Sequence, residues 1–277
     1  MTSRRGVTQG AGPLIRQWRT RRRRSQLDLA LDVGVSTRHL SFVETGRARP
    51  SPELLMALAR GLDVPLRECN AWLLAAGYAP RYPETPLDAE SMGRVRATLQ
   101  RLLDGHDPYP GVVIDRFWNV LVANRAALLF LDGVAPAALA EPLNVFRLCL
   151  HPDGLAARTR NFEQWSAYLL GQLHRAALVT GDASLAGLAD EVAGYPNLDG
   201  LADWRREAAP RDTSLLVPWE LGLPGGRVLS LFGTVTTFGT PQDVTLAELA
   251  VELFYPADEA SEQLLREVGS SVLSGHR

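Results

Sequence analysis

Apolar residues recur at helical spacing through the first eighty residues, in short runs separated by serine, glycine and proline. Leu14, Ile15 and Trp18 indicate a first helix, and Ser25 followed by Asp28 is typical of the N-terminus of a second. The whole pattern predicts an all-α domain of five short helices. The residues expected to face its interior from the second helix onward are Leu27, Ala30, Leu31, Leu40, Val43, Leu54, Leu55, Leu58, Leu62, Leu66, Cys69, Trp72 and Leu73.

Two of these helices form a helix-turn-helix candidate. Gly34 supplies a tight turn after the second helix, and Ser36 is predicted to cap a third helix that runs from Thr37 to Glu44 and ends at Gly46. In helix-turn-helix proteins, the second of the paired helices enters the major groove of DNA with its N-terminal residues toward the bases. The pattern therefore predicts a DNA-binding module.

Beyond the proline- and glycine-rich stretch at 77–90, the pattern changes to a mixture of helices and strands. A helix is predicted near Ser91–Gly105, and the apolar runs Val112–Ile114 and Trp118–Ala123 predict a hairpin. Two strands, several helices and three further strands predict an α+β domain around a five-stranded antiparallel sheet. The further helices are expected near Arg125–Leu131, Leu143–Leu150, Leu155–Val179 and Ser184–Ala193, and the further strands at Thr213–Leu221, Arg227–Phe238 and Leu246–Tyr255.

The balance of basic and acidic residues changes in the same proline- and glycine-rich region of the chain. All 29 basic residues are arginine; residues 1–80 contain 13 of them against 6 acidic residues, and residues 81–277 contain 16 against 25. This split favours a module that binds a polyanion joined to one that does not, although Arg21–Arg24 alone fits a solvated surface equally well. We expect a flexible basic N-terminus at 1–11, the helix-turn-helix domain at 12–76, a linker at 77–90, the α+β domain at 91–268 and a tail at 269–277.

Several enzyme and membrane signatures are missing from the sequence. Cys69 and Cys149 are too far apart along the chain for a disulfide framework or a cysteine-based zinc site. No HExxH, GxxxxGK(S/T) or GxSxG motif occurs. No apolar run approaches the length of a transmembrane helix, and the N-terminus lacks the apolar stretch of a secretory signal. We expect a cytoplasmic protein that is neither an enzyme nor bound to a membrane.

The segment QLDLALDVGVSTRHLSFVETGRARPSPELLMALARGLDVP resembles the Xre family of phage-repressor-type regulators. The resemblance implies that Gln26 contacts backbone phosphate and braces the recognition helix, and that Arg47 and Arg49 lie along the DNA backbone. Glu44 is expected to pair with a nearby arginine. The DNA-binding residues expected from the resemblance and from local chemistry are Arg22, Gln26, Ser36, Thr37, Arg38, Ser41, Phe42, Arg47 and Arg49.

Local chemistry agrees with groove-facing roles for the residues of the third helix. Arg38 can donate two hydrogen bonds to the O6 and N7 atoms of guanine, and Thr37 can bond a base or contact a thymine methyl group. Phe42 has two readings, since Leu40 and Val43 already supply the buried side of the helix. It either contacts thymine methyl groups or packs within the protein.

The remaining chain resembles the C-terminal ligand-binding domain of MmyB-like regulators, which is PAS-like. The resemblance lies in LDGHDPYPGVVIDRFWNVLVAN, LHPDGLAARTRNFEQW and TVTTFGTPQDVTLAELAVELFYPADE. Together with the Xre-like segment it covers about residues 12–268. It implies a bacterial transcriptional regulator that senses a small, apolar, fatty-acid-like molecule. A twofold-symmetric homodimer bound to a palindromic operator in double-stranded DNA is the matching assembly.

A PAS-like sheet curls around a cavity, and ligand cavities are mostly apolar with few polar anchors. Trp118 and Val120 share one face of a predicted strand, whereas Phe238 shares a face with Thr236, opposite Val235. Which face lines the cavity stays open, and each aromatic residue is also consistent with ordinary core. The expected ligand-binding residues are Trp118, Val120, Phe162, Trp165 and Phe238 as apolar wall, with His151, Arg158 and Asn161 as anchors for a carboxylate.

Two other functions are compatible with these patterns. The C-terminal domain could serve only dimerisation or protein contact. It could instead carry haem or flavin, with His151 and His174 as axial ligands, although nothing in their spacing favours a metal. A triad built on Ser214, Ser230 and His151 lacks a nucleophile elbow, because Val228–Phe232 reads VLSLF. We expect no firm cofactor beyond a bound fatty acid or a similar apolar ligand.

Overall fold

The computed structural model describes residues 10–201 and 216–274, with side chains to residue 268. The chain forms two compact units, one of Met1–Ala89 with Gly239–Ala247 and one of Glu90–Phe238 with Glu248–Arg277. Each unit has its own hydrophobic core. Residues 1–9 of the expected flexible N-terminus, residues 213–215 of an expected strand, and Ser214 lie outside the described residues.

The first unit contains the five expected helices. They are α1 (Ala11–Arg21), α2 (Gln26–Val33), α3 (Thr37–Glu44), α4 (Pro52–Gly61) and α5 (Leu66–Ala75). The hydroxyl oxygens of Ser25, Ser36 and Ser51 each accept a hydrogen bond from the backbone N–H three residues on. Because these caps are local, they locate the starts of α2, α3 and α4 in the sequence itself.

The expected interior face of α2 is wrong. Leu27 and Leu31 are 56% and 70% exposed, whereas Leu29 and Ala30 are buried. Leucine at three alternate positions makes both faces of this helix apolar, so its own periodicity does not choose between them. Packing of α2 against α3 and α4 makes the choice and buries the face that carries Leu29.

The second unit is built on a five-stranded antiparallel sheet, as expected. Its strands are β1 (Gly111–Ile114), β2 (Val120–Ala123), β3 (Trp219–Gly222), β4 (Val228–Thr237) and β5 (Ala250–Pro256). They lie in the order β2-β1-β5-β4-β3, with every neighbouring pair antiparallel. β5 is therefore the middle strand of the sheet. It is the last strand in the chain, so the sheet centre depends on pairings distant in sequence.

Six helices complete the described secondary structure, apart from short 3-10 turns. They are α6 (Gly93–Asp104), α7 (Val145–Leu150), α8 (Phe162–Thr180), α9 (Ala183–Ala193), α10 (Val244–Glu248) and α11 (Glu259–Ser274). The buried side chains of α7, α8 and α9 share one hydrophobic core with the inner face of the sheet.

Four local expectations are corrected by the structure. The helix expected over Leu155–Val179 is interrupted, because a 3-10 turn at Ala156–Arg158 precedes α8. The strand expected from Leu246 begins at Ala250 instead, because α10 continues to Glu248. The segment 269–277, expected as a tail, belongs to α11 as far as Ser274.

Trp118 supplies the fourth correction, because it lies in a turn rather than in a strand. Its φ is +62°, in the left-handed region. The carboxylate of Asp115 accepts hydrogen bonds from the backbone N–H groups of Phe117 and Asn119 at 2.8 and 2.9 Å. This local side-chain turn competes with the strand, as aspartate commonly does.

The sequence did contain a start signal for α11. The Asp258 carboxylate accepts a 2.7 Å hydrogen bond from the backbone N–H of Ser261. Leu264 and Leu265, one turn further on, are buried. An aspartate followed by a helical apolar pattern is a recognised helix start.

Candidate DNA-binding helix and ligand cavity

The helix α3 presents one buried and one outer face. Leu40 and Val43 are buried in the core of the first unit, whereas Arg38 is exposed. The cap at Ser36 accepts the N–H of His39 at 3.1 Å, which holds the first turn in helical form. The N-terminal turn, the part that approaches base edges in this motif, is therefore ordered by its own sequence.

Phe42 lies at the edge of this outer face, half-buried. The guanidinium carbons of Arg38 and Arg47 lie 5.4 and 5.9 Å from the centre of its ring. At these distances both cations are attracted by the ring, so Phe42 holds two arginines on one surface. Its side chain is neither fully buried core nor an isolated exposed group.

Glu44, at the end of α3, anchors the helix to its two neighbours. Its carboxylate accepts hydrogen bonds from Arg19 of α1 at 2.6 and 3.0 Å, and from the Gln26 amide of α2 at 2.7 Å. The expected pairing of Glu44 with an arginine is thus present. The Glu44 side chain is 1% exposed, and its hydrogen bond raises the pKa of Arg19. A charge this deeply buried is tolerated because it is paired.

Close contact between α1 and α3 depends on Gly12. A Cβ atom at this position would lie 2.4 Å from the carbonyl oxygen of Val43. Glycine is therefore required for α1 to approach the C-terminal end of α3 this closely.

Arg22 and Arg49, both expected at the DNA backbone, have hydrogen-bond partners within the first unit. Arg22 donates to the carbonyl oxygens of Leu62 and Asp63, each at 3.0 Å. Arg49 donates to the carbonyl oxygen of Ala76 at 3.0 Å. Both guanidinium groups thereby satisfy carbonyls at a helix C-terminus, where positive charge is favourable. Their contacts with DNA remain predictions.

The second unit contains a cavity of about 1370 Å³, larger than most small-molecule sites. The inner face of the sheet forms one wall, with Ile114, Val235, Ala250 and Glu252. Phe146 of α7 and the first half of α8 form the opposite wall. The larger apolar and aromatic side chains of α8 on this wall include Phe162, Trp165, Tyr168 and Leu169.

Four of the expected ligand-binding residues line this cavity: Trp118, Asn161, Phe162 and Trp165. The side chain of Asn161 also holds β3, because it donates to the Pro218 carbonyl at 2.7 Å and accepts the Glu220 N–H at 3.1 Å.

Trp165 stacks on Trp219, with ring centres 5.8 Å apart and planes 9° from parallel. The two indole N–H groups differ. That of Trp219 donates to Thr159 at 3.0 Å, whereas that of Trp165 has no acceptor among the described residues. Trp165 is therefore held against Trp219 by ring stacking rather than by a hydrogen bond from its own N–H.

The other four expected residues, Val120, His151, Arg158 and Phe238, are not among the described residues that line the cavity. Gly233 and Val235 of β4 line the cavity, and Phe238, just beyond the end of β4, continues the alternation on the face opposite Val235. Val120 packs against the core from β2, the edge strand.

Arg158 and His151, two of the three residues expected to anchor a carboxylate, have partners elsewhere in the second unit. Arg158 donates to the carbonyl oxygens of Gly222 at 3.2 Å, Phe130 at 3.3 Å and Asp132. Burial lowers its pKa. The ring of His151 lies 5.0 Å from that of Tyr195. Arg158 therefore ties three backbone segments together.

Sequence reasoning missed Glu252, which lies on the cavity wall in the middle of β5. The signal was a single carboxylate inside the apolar run AVELFY. It also missed Arg160 and Arg175, two exposed arginines that line the same cavity. Exposed residues of a cavity wall lie where the cavity opens to solvent, so these two cations mark its mouth.

The carboxylate of Glu252 makes no hydrogen bond or ion pair with any described residue. Burial raises its pKa to about 7. Its carboxylate lies over Gly233, where a Cβ atom would be 3.1 Å from Oε1. The absence of a side chain at Gly233 leaves the space that this carboxylate occupies.

Neither a metal cluster nor a membrane span occurs among the described residues. No group of three or more His, Cys, Asp or Glu side chains in this part of the chain is placed to hold a metal ion. The described cavity wall also includes no histidine, cysteine or methionine, the usual side chains for axial ligation of haem. None of the described helices is long and apolar enough to cross a membrane.

Comparisons with known proteins identify both units. A family model for the MmyB-like transcription regulator ligand binding domain matches residues 95–268, and a helix-turn-helix model matches residues 15–69. Both describe parts of transcription regulators rather than catalytic domains. A search among curated proteins finds no match.

One similar solved structure is described as "Structure of an RNA-binding Light-Oxygen-Voltage Receptor". The alignment covers 96% of this chain and 63% of that chain, at 14% identity and a TM-score of 0.26. The chain therefore spans less than two thirds of that protein, and a likeness this weak supports no inference. The ligand-binding-domain match, in contrast, covers more than half of the chain. Preceded by its Xre-type helix-turn-helix domain, the chain belongs to the MmyB-like transcription regulators.

Proposed function

We propose that this regulator binds a palindromic operator as a homodimer, and that a small, mainly apolar molecule in the cavity changes its affinity for DNA. The cavity of about 1370 Å³, inside the segment matched as a ligand-binding domain, is the observation that carries the proposal. Ligand and DNA are coupled only if the ligand binds the two states of the dimer unequally. Operator binding also requires the compartment of the chromosome, which in bacteria is the cytoplasm.

Sequence-specific recognition is assigned to the first turns of α3. Arg38 is exposed and held against the ring of Phe42, so it is positioned before DNA arrives. It donates to guanine, while Thr37 and Ser41 offer hydroxyl groups to neighbouring bases. Arg47, on the same surface, contacts phosphate. Gln26 and Ser36 support this arrangement through Glu44 and the helix cap, and Gln26 additionally approaches phosphate.

A fatty-acid-like ligand fits the distribution of groups in the cavity. The aromatic and aliphatic side chains suit an acyl chain. Arg158 and His151 do not line the cavity, so the role of carboxylate anchor passes to the exposed Arg160 and Arg175. Neither has an acidic partner among the described residues, and both are free to pair with an anionic head group.

The DNA proposal is tested with Arg38→Ala in the full-length protein. An operator is first selected from a random DNA library, and affinities are then measured against it and against single-base variants. Arg38→Ala should lose about 1–3 kcal/mol of specific binding and relax base preference at one position. Arg60→Ala, which removes an exposed arginine from α4, is the matched control. Equal affinity and unchanged base preference in Arg38→Ala would contradict the groove assignment.

The ligand proposal is tested by denaturing the purified protein, extracting it with organic solvent and analysing the extract by mass spectrometry. A stoichiometric acyl compound supports a ligand-binding cavity and names a candidate effector. An extract with no such compound favours the alternative in which the domain only mediates dimerisation. An absorption spectrum of the same sample separates both from a haem or flavin protein, because those cofactors are coloured.

A further inference from the structure

The cavity holds one group that an apolar ligand would leave unsatisfied. Glu252 is paired in register with Val112 of β1 and Val235 of β4, at the centre of the sheet. Its neighbours on the cavity wall from the same sheet face are Ile114, Val235 and Ala250. A half-buried carboxylate beside apolar side chains loses part of its hydration, which costs free energy unless it is hydrogen-bonded.

The protein itself does not satisfy this carboxylate. Glu252 has no hydrogen-bond donor or cation within bonding distance in the described parts of the chain, whereas Glu44 in the first unit has two partners. Gly233 keeps the space beside Oε1 open. Raised pKa values of this kind, in a cavity, are common where a group acts on a ligand.

We propose that Glu252 determines the specificity of the cavity by accepting a hydrogen bond from a hydroxyl or amine group of an otherwise apolar ligand. This rests on the proposed function, because it requires that the cavity takes a ligand. A simple saturated fatty acid lacks such a donor along its chain. A chain that carries a donor group satisfies the carboxylate, and an anionic head group at Arg160 or Arg175 is compatible with it.

The test uses probes that share a ten-carbon chain and differ in the polar group at its end: decanol, decylamine, decanoic acid and methyl decanoate. Trp118 and Trp165 line the cavity, so tryptophan fluorescence of the full-length protein reports binding. The wild type should bind decanol or decylamine about tenfold more tightly than methyl decanoate, the usual effect of one charged or strong hydrogen bond. The stronger of the two names the donor.

Two variants separate the contributions of charge and hydrogen bonding. Glu252→Leu should abolish the preference for donors and strengthen the binding of methyl decanoate. Glu252→Gln keeps an acceptor oxygen and similar shape, so it should retain decanol binding and lose any preference for decylamine. Glu259→Gln, at an exposed position of the same unit outside the described cavity wall, is the matched control and should leave the order of affinities unchanged.

The outcomes distinguish this inference from the proposed function. If the wild type binds all four probes equally and neither variant changes the order, the role of Glu252 is overturned while the ligand cavity stands. If no probe binds to the wild type, both the apolar cavity function and the role of Glu252 fail. Circular dichroism checks that each variant is folded, and Glu252→Gln carries the test if Glu252→Leu does not fold.

Discussion

The two units contrast a buried glutamate that has partners with a half-buried glutamate that has none among the described residues. Glu44 of the first unit accepts hydrogen bonds from Arg19 and Gln26 and joins three helices. Glu252 of the second unit faces a cavity, with no partner among the described residues. A paired buried charge stabilises the arrangement around it once formed, whereas an unpaired one costs stability until a ligand supplies a partner. The paired glutamate holds the recognition helix in place, whereas the unpaired glutamate leaves a polar group of the cavity wall open to a ligand.

The largest expected effect is on the free energy of unfolding when Glu44, the paired glutamate, is replaced. Glu44→Ala leaves the largely buried Arg19 guanidinium without its carboxylate, and removing one partner of a buried pair costs about 3–5 kcal/mol. The free energy of unfolding of the first unit, measured by denaturant titration, should fall by this amount. Specific DNA binding should fall with it.

Asp88→Ala is the control for this substitution, because Asp88 is an exposed acidic residue of the same unit. A Glu44→Ala protein as stable as the control would mean that the network around Glu44 contributes little. The distinction between the two glutamates would then disappear.

The second effect concerns Glu252, the unpaired glutamate, and the dependence of stability on pH. A carboxyl group whose pKa is 4.5 in the unfolded chain and about 7 in the folded protein favours folding only while it is protonated. This contribution is fully present below about pH 4.5 and is lost as pH rises through about 7. The stability of the wild type relative to Glu252→Gln should therefore fall across this range by about 2 kcal/mol, after allowance for partial exposure.

Unfolding midpoints of both proteins over this pH range provide the measurement. Comparison with the variant removes the contributions that both proteins share. These come from the Cys149 thiol near Glu252 and from the other ionisable side chains of the described cavity wall, which are Asp115, Arg116, Arg160, Glu163, Tyr168, Arg175 and Glu248. A constant difference between the two proteins would show that Glu252 keeps an ordinary pKa, as expected only if it is solvated or paired.

The smallest effect concerns the cap that orders α3. Ser36→Ala removes the oxygen that accepts the N–H of His39 and should cost about 1 kcal/mol of stability. Ser36→Asp keeps an acceptor and should restore most of it. Hydrogen exchange at the first turn of α3 measures the local effect, and equal protection in all three proteins would contradict it.

The two units also differ in how much of each site could be predicted from the sequence. The recognition helix is eight consecutive residues with its own cap, so its bounds and its buried residues Leu40 and Val43 follow from short-range spacing. The cavity combines residues as distant as Ile114 and Glu252. Aromatic spacing on α8 indicated Phe162 and Trp165 because both lie on one helix. Of the polar residues on the wall, Asn161 was expected, whereas Arg160, Arg175 and Glu252 were missed.

The arginines of the first unit show the same limit. The exposed Arg22 and Arg49 have carbonyl partners 40 and 27 residues away in sequence, so local patterns could not predict these hydrogen bonds. Similarly, the face of β4 that lines the cavity is decided by its register with β5. A one-residue shift would exchange Val235 for Thr236 on that wall.

The sequence by itself determined the five helices of the first unit, the serine caps and the helix-turn-helix. It also determined the number of strands in the second unit and their order along the chain. These depend on interactions between residues a few positions apart, or on apolar alternation within one strand. Only the tertiary structure decided which face of α2 is buried, which arginines satisfy helix ends and which carboxylate has a partner. Those outcomes depend on groups brought together from distant parts of the chain, and an unpaired charge such as Glu252 is recognised only when all of its neighbours are known.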